Sequence, residues 1–471
     1  MKKKMLIGGK WTGGKDYFDL LNPYDGSLLA KVPSGSDSDV AAAVKSSLEG
    51  FKELSSLPSH RRSDILLDTS FAIIDRKEEL AGTITRESGK PIVYSRAEVD
   101  RAAETFRFAS EEAKRIHGET IPMDASKGSE KRTAFFERFP IGVIGAITPF
   151  NFPINLVAHK LAPAIAAGNG IVLKPAEQTP LTALILGEIL LAAGLPKEAL
   201  NIVTGGASTG AALVRDERLK MITFTGSPPV GREIKTGAGL KKVTLELGSN
   251  SALIIEPDAD IGAAVTRSVM GAFANSGQVC ISLQRIYLHK DIYDDFKTAF
   301  VEKVKKLKSG DPMNADTDIG PLIDQGAAQR SFDWICEASD SGAKVLCGGG
   351  REGTFLEPTV LEELGSDMKV VCKEVFAPVV SLIPYSDFDR ALDMVNDSIF
   401  GFQAGLYTKD INKAFKAFRK LEVGGVIIND VPTYRADHMP YGGVKESGLG
   451  REGLKYAIEE MTEMKTLVIN L

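Results

Sequence analysis

Several shortages in this sequence limit what it can be. Its 471 residues include only four cysteines, Cys280, Cys336, Cys347 and Cys372. None falls in a Cys-x-x-Cys pair, which argues against a zinc site or a disulfide framework and fits free thiols in a reducing compartment. No stretch approaches the eighteen apolar residues of a membrane helix, so no membrane partner is expected. Lys2, Lys3 and Lys4 look like the start of a secretion signal, but only Met5, Leu6 and Ile7 follow before Gly8 and Gly9. Without an apolar core segment, a cytoplasmic location is expected. Basic residues are not in excess either: the net charge is −5, whereas a nucleic-acid partner wants a strongly basic face. Internal repeats, low-complexity segments and a metal-ligand cluster are also missing.

What is present is the balance of a globular protein, 43% hydrophobic and 25% charged. At this length two or three domains are expected. Apolar, β-rich runs occur at Val143–Ile147, Gly170–Leu173, Leu200–Val203, Met221–Phe224 and Leu253–Ile255. Between them lie Ala/Leu-rich helical stretches such as Pro180–Ala193 and Ala207–Val214. That alternation predicts a parallel, doubly wound α/β sheet. A second series begins after Gly248, with a helix over Ile261–Ala274, a strand over Arg285–His289 and a helix over Tyr293–Lys306. Strands at Lys344–Leu346, Val379–Pro384 and Val426–Asn429 complete a second α/β unit. Gly118–Pro140 interrupts the first unit, with strand-like alternation near Thr133–Phe139, and Lys465–Asn470 reads as another strand. Two isolated strands of this kind can pair into an arm that builds oligomers.

Three residues are candidates for chemistry. Cys280, in Gly277-Gln278-Val279-Cys280, follows a glycine near a helix end, where a thiol can be exposed and activated. The plainer reading is a small buried hydrophobe. Glu246 ends a strand-like run, at the carboxyl edge where α/β sheets gather ligands; otherwise it is a solvated edge carboxylate. Asn151 stands between Pro149 and Pro153 after an apolar strand, placed either to donate to an oxyanion or to cap a helix over Ile154–Ile165.

Cofactor signals are more scattered. Phe224-Thr225-Gly226-Ser227 joins a strand to a helical run. Gly226 allows a tight turn there, and the helix N-terminus offers free N–H groups and a positive dipole to a pyrophosphate. It is not the Gly-x-Gly-x-x-Gly fingerprint. Lys174 and Glu177, after Gly170–Leu173, can hold ribose hydroxyls or pair with each other. Glu374 and Phe376, in Glu374-Val375-Phe376-Ala377-Pro378, set another carboxylate and an aromatic beside a turn.

In their joint order these segments resemble the aldehyde dehydrogenase superfamily, and the resemblance covers essentially the whole chain. The family's Asn-Phe-Pro is Asn151–Pro153, its Lys-Pro-Ala-Glu is Lys174–Glu177 and its Phe-Thr-Gly-Ser is Phe224–Ser227. Its Glu-Leu-Gly is Glu246–Gly248, its Gly-Gln-x-Cys is Gly277–Cys280 and its Glu-x-Phe-x-Pro is Glu374–Pro378. Pro440-Tyr441-Gly442-Gly443-Val444-Lys445-Glu446-Ser447-Gly448 resembles the closing Pro-Phe-Gly-Gly-x-Lys-x-Ser-Gly. Two departures stand out: Ser249 where the family usually has a second glycine, and Phe150 where many relatives have Trp.

The resemblance implies an aldehyde dehydrogenase fold with a Rossmann-like cofactor domain (1–117 and 141–247) and an α/β catalytic domain (248–458). A β-strand oligomerisation arm (118–140 and 459–471) would join subunits into a homodimer or homotetramer. It implies NAD(P)-dependent oxidation of a small aldehyde, with Cys280 as nucleophile, Glu246 as the base that hydrolyses the thioester, and Asn151 with the Cys280 N–H as oxyanion donors. Phe150, Lys174, Glu177, Gly226, Ser227, Leu247, Glu374 and Phe376 are the expected cofactor contacts. Glu177 makes NAD the expected preference, with NADP possible. A CoA-acylating enzyme on the same fold would lack Glu246, and a non-catalytic relative need not keep these residues.

For the substrate, His159 stands eight residues after Asn151 on the expected tunnel helix, and Ala274 six before Cys280. Succinate-semialdehyde enzymes of the family carry Arg at both places. With Arg435 and His438 at the expected tunnel mouth, the chain looks most like lactaldehyde and glyceraldehyde-type dehydrogenases. A short hydroxylated or anionic aldehyde is expected, such as lactaldehyde, glycolaldehyde or glyceraldehyde 3-phosphate. Alternatively Arg435 and His438 merely pair with Asp437 or solvent.

Overall fold

A computed structural model describes residues 2–470. The strands predicted from apolar runs are buried on both faces, which is why they read as continuous hydrophobic stretches. Every residue of Val143–Ile147, Gly170–Lys174 and Met221–Thr225 is buried.

These strands form the middle of an eight-stranded sheet, ordered Lys10–Thr12, Met5–Ile7, Leu200–Ile202, Gly170–Lys174, Val143–Ile147, Met221–Thr225, Lys242–Glu246, Gly448–Leu449. The five inner strands are parallel, as the alternation predicts, but both flanks are antiparallel. Chain order runs outward in both directions from the gap between Val143–Ile147 and Met221–Thr225. Loops leaving the carboxyl ends there, including Thr148–Asn151 and Gly226–Ser227, splay apart and leave a crevice.

A second, seven-stranded sheet has the order Lys344–Cys347, Thr359–Glu362, Val379–Tyr385, Arg285–His289, Ala252–Ile255, Gln403–Tyr407, Gly425–Ile428. It is parallel except at Lys344–Cys347. The third sheet is the arm. Thr462–Asn470 pairs antiparallel with Arg132–Pro140 along its whole length, and Glu119–Ile121 adds a third strand.

Four long helices, Asp37–Ser56, Ser59–Asp75, Lys77–Ser88 and Ile92–Ala113, pack around the first sheet without having been assigned from sequence. Their apolar stripe was readable: Val40, Ala43, Val44, Ser47, Gly50 and Leu54 make the buried face of the first. After the second sheet the chain returns to the first. Gly448–Leu449 pairs with Leu245 and Glu246, and Leu454, Ile458 and Met461 join the core beneath helix Asn155–Ala167. Among the described residues no helix is long and apolar enough to cross a membrane.

Candidate active site

Cys280 follows a strained turn. Helix Ile261–Phe273 runs into a 3-10 turn, Ala274–Gly277, in which Asn275, Ser276 and Gly277 have φ of 51°, 54° and 71°. For the two residues with a Cβ this costs about 1–3 kcal/mol each, so the surroundings must hold them. Asn275 Nδ2 donates to Gln278 O (3.2 Å), Ser276 Oγ donates to Gly320 O (2.8 Å), and Gln278 Oε1 accepts from Ile323 N–H (3.0 Å). Gly277 is required, because a Cβ there would lie 2.1 Å from Ala377 O.

The thiol lies between the two readings of the sequence, an exposed group and a small buried hydrophobe. Cys280 is half-buried, and burial pushes its thiol up to about 12. Against this, Tyr441 Oη lies 3.2 Å from Sγ, and the Arg435 charge favours the thiolate.

Glu246 closes strand Lys242–Glu246 and is 2% exposed, so it is no solvated edge carboxylate. Among the described residues neither of its oxygens has a hydrogen-bond partner. Burial, reinforced by nearby Glu452, raises its pKa well above the carboxylate range. An acid left buried and unpaired is costly to the fold, and a carboxyl shifted in this way is the kind of group found at acid–base sites.

Asn151 does not cap a helix. The helix starts at Asn155, and its free N–H groups at Ile154 and Asn155 donate to Glu98 Oε1 at 3.0 and 3.1 Å. Glu98 is held by the fully buried Lys90, whose Nζ lies 3.9 Å from the Phe152 ring centre. That leaves the Asn151 amide free to donate to Gln278 O at 2.9 Å, two residues from the thiol.

A cavity of about 500 Å³ occupies the crevice where strand order reverses, and Phe150, Lys174, Glu177, Gly226 and Ser227 all line it. Lys174 is buried, which lowers its pKa, and it donates to Pro175 O at 3.3 Å rather than pairing with Glu177. The helix after Ser227 offers fewer donors than expected. Pro228 and Pro229 fill its first two positions and have no N–H, and the Gly226 N–H already donates to Glu246 O at 3.0 Å.

Leu247, Glu374 and Phe376 lie outside that lining. Leu247 is buried and donates its N–H to Ser447 O at 2.9 Å. The Phe376 ring meets Phe150 edge-on, with centres 5.9 Å apart. Glu374 Oε1 accepts from Ser249 N–H at 2.9 Å, and burial pushes this carboxyl up to about 7. A Cβ on Gly248 would sit 2.5 Å from Glu374 Oε2. Ser249 fits in place of the family glycine because its hydroxyl shares a 2.9 Å hydrogen bond with Ser251.

Cys280 lines a separate cavity of about 310 Å³, and of the three polar residues expected along the tunnel only Arg435 lines it too. Its guanidinium lies 3.7 Å from the Tyr441 ring centre, and Nη2 donates to Glu452 Oε2 at 3.1 Å. His159 stands off the wall, 2% exposed, with Nε2 2.8 Å from Asp437 Oδ1 and 2.9 Å from Arg435 Nη2. Asp437 turns inward because Arg101 grips it through two bonds of 2.7 and 3.0 Å, and this draws the imidazole beneath the wall. His438 is also off the wall: exposed, it packs on Phe108 with ring centres 4.9 Å apart.

Sequence reasoning missed Lys160 and Glu452. Lys160, 1% exposed, donates to Thr223 and Thr225 hydroxyls and to Glu452 Oε1 at 3.2, 2.8 and 3.2 Å. A lone lysine within the apolar helix Asn155–Ala167 was a usable signal, since a charge there must find partners. Glu452, held low by Lys160 and Arg435 against its burial, had no such signal. A larger, open groove of about 1120 Å³ shares no lining residue with either cavity.

Comparison with known proteins identifies the family. The model of the aldehyde dehydrogenase family matches residues 11–467. The chain is 48% identical to 3-sulfolactaldehyde dehydrogenase of Priestia megaterium, over 99% of this chain and 98% of that protein. Among solved structures it is similar to aldehyde dehydrogenase 21 of Physcomitrella patens in complex with the reaction product succinate. There the TM-score is 0.97 and the identity 44%, covering 100% of this chain and 98% of that one. It is also similar to glyceraldehyde-3-phosphate dehydrogenase GapN of Methanocaldococcus jannaschii complexed with NADP, with TM-score 0.93 and 40% identity over 97% and 100% of the two chains. The chain belongs to the aldehyde dehydrogenase family and is an NAD(P)-dependent aldehyde dehydrogenase.

Proposed function

We propose that the chain oxidises a short anionic or hydroxylated aldehyde to its acid through a thioester on Cys280. The observation that carries this reading is the wall of the Cys280 cavity, on which Lys90, Arg101, Arg267 and Arg435 all stand. Of the carboxylates that pair with them, Asp430, Asp437 and Glu452 stand behind the wall and only Glu98 is on it. A sulfonate, phosphate, carboxylate or hydroxyl meets these cationic groups at one part of a wall otherwise formed by apolar side chains such as Ala97, Phe152, Leu156, Val279 and Ile281.

The Cys280 sulfur attacks the aldehyde carbon, and the carbonyl oxygen becomes an oxyanion facing the Asn151 amide and the Cys280 N–H. NAD(P)+, when bound, accepts the hydride that leaves this carbon. The remaining acyl group is a thioester, and Glu246 takes a proton from the water that attacks it, freeing the acid and the thiol.

The donor set suits the cofactor: Lys174 and Glu177 for the adenine ribose, and Glu374, fixed by Ser249 N–H, for the nicotinamide ribose. Phe150, Gly226, Ser227, Leu247 and Phe376 complete the contacts. The first sheet makes up the cofactor domain, the second the catalytic domain, and the third the arm. The arm joins copies into a homodimer or homotetramer, a reading supported by Met464, Leu467, Val468 and Ile469 being exposed along Thr462–Asn470.

Two predictions arise from these cavities. Glu177 accepts from both ribose hydroxyls and repels a 2′-phosphate, so kcat/KM is higher with NAD than with NADP; a clear NADP preference overturns the assignment. On the substrate side, sulfolactaldehyde, glyceraldehyde 3-phosphate, lactaldehyde and glycolaldehyde should be preferred to hexanal and benzaldehyde. Arg435→Ala should raise KM for the anionic ones by about 10–100-fold, the loss of one charge-assisted hydrogen bond. If hexanal or benzaldehyde is best, or Arg435→Ala leaves every KM unchanged, the polar-wall reading is wrong.

A second substrate, succinate semialdehyde, is favoured by the succinate in the Physcomitrella relative. Against it, this chain has His159 and Ala274 where semialdehyde enzymes of the family carry Arg. Adding succinate semialdehyde to the panel, with and without CoA, decides this and also tests the CoA-acylating alternative.

A further inference from the structure

The loop that closes over Cys280 carries Tyr441 where the family motif has Phe. Its ring fills the same kind of place, 3% exposed and packed on Phe402 with ring centres 4.9 Å apart. The hydroxyl is what differs, and it lies 3.2 Å from Cys280 Sγ. With the thiol protonated, either group can donate; with the thiolate, only the phenol can. The Arg435 guanidinium lies 3.7 Å from the centre of the same ring. A cation against the π face draws electron density from the ring, which makes its O–H a stronger donor.

We propose that Tyr441 is a catalytic residue whose hydroxyl donates a hydrogen bond to the Cys280 thiolate, with Arg435 reinforcing it from the ring face. This rests on Cys280 being the nucleophile. The other ionisable groups that bear on the sulfur are Glu246 and Glu374, and both oppose its negative charge. Burial opposes it as well, so Tyr441 and Arg435 are the groups that favour the thiolate.

The hydroxyl acts twice. When the thiol ionises, the S–H bond breaks, the electron pair stays on sulfur and the proton passes to solvent. Tyr441 keeps its own proton and directs it at Sγ. In deacylation the carbon–sulfur bond breaks with its pair going to sulfur, and the same O–H receives the departing thiolate. The phenol is well suited to remain neutral, since burial and the neighbouring thiol raise its pKa well above the usual tyrosine value.

Tyr441→Phe removes only the hydroxyl and installs the residue the family ordinarily has, so the fold is retained. The test is the second-order rate of iodoacetamide alkylation of Cys280 from pH 6 to 10, read by peptide mapping. In the variant the rate at pH 8 falls about tenfold or more and the profile moves up by about one to two pH units, the effect of losing one hydrogen bond to a charged group. The dissociation constant for NAD stays unchanged. As a second arm, 2,3-difluorotyrosine at position 441, a stronger donor of similar size, raises the alkylation rate at pH 8.

Superimposable profiles for wild type and Tyr441→Phe overturn the proposal, as does a difluorotyrosine protein that is not faster. Alkylation reads sulfur acidity without turnover, so it stands apart from the functional reading. Retained aldehyde oxidation in Cys280→Ala would instead remove that reading.

Discussion

Cys280→Ala lowers kcat for aldehyde oxidation by about 10⁴-fold or more, because every covalent step loses its reacting atom. The other machinery stays in place. Asn151 remains bonded to Gln278 O, a backbone group the substitution does not touch, and the cavity lined by Lys174 and Glu177 does not include residue 280. NAD binding, measured by fluorescence quenching or calorimetry, is therefore within about twofold of wild type. Removing one half-buried sulfur costs the fold about 1 kcal/mol, a small fraction of what holds it. The outcome that sinks the assignment is substantial residual turnover, or inactivation by iodoacetamide that maps to Cys336, Cys347 or Cys372. Cys336 is exposed and so is the residue that general alkylation reaches first.

Glu246→Gln separates the two halves of the reaction. Acylation proceeds, so mixing enzyme, NAD and aldehyde gives one equivalent of NADH in a burst, and steady turnover then falls by roughly 10²–10⁴-fold. Intact-mass spectrometry shows the acyl group on Cys280. In the wild-type enzyme the base form of Glu246 is the carboxylate, populated only above its pKa. Burial and Glu452 raise that pKa, so the deacylation rate increases with pH through a midpoint above the ordinary carboxylate range. In the Gln variant this limb of the kcat profile disappears. A variant that turns over like wild type, with the same pH limb, means that another group activates the water.

Legibility from the sequence divides along physical lines. The inner strands of both sheets were readable because burial on both faces leaves an uninterrupted apolar run, as in Val143–Ile147. The arm was readable because Thr133–Phe139 and Lys465–Asn470 are strand-like islands with no local partner. Cys280, Glu246 and Asn151 were singled out by motif order, yet their environments were not. An exposed thiol and a small buried hydrophobe were both open readings, and a half-buried thiol was found. The ion network went unread because its partners meet only in three dimensions. Lys160 meets Glu452 across 292 residues, His159 meets Asp437 across 278, and Arg101 meets Asp437 across 336. His159 was noticed by its spacing, but nothing local says that Asp437 folds under the wall and draws the imidazole away from it. Lys160, its neighbour on the same helix, was passed over although its charge was the stronger anomaly.

The return of the chain to its first sheet sets a timetable for synthesis. Strand Lys242–Glu246 gains its outer neighbour only when Gly448 and Leu449 arrive, and the Leu247 N–H waits for Ser447. A nascent chain can assemble the inner parallel strands as soon as they emerge. The edge bearing Glu246 stays open until the chain has been made through Leu449. Until then an unpaired strand edge faces the crowded surroundings of the ribosome, exposed to other chains. Premature termination anywhere in the second sheet would therefore leave the first one unfinished at the edge that bears Glu246, so such fragments should be insoluble rather than simply inactive.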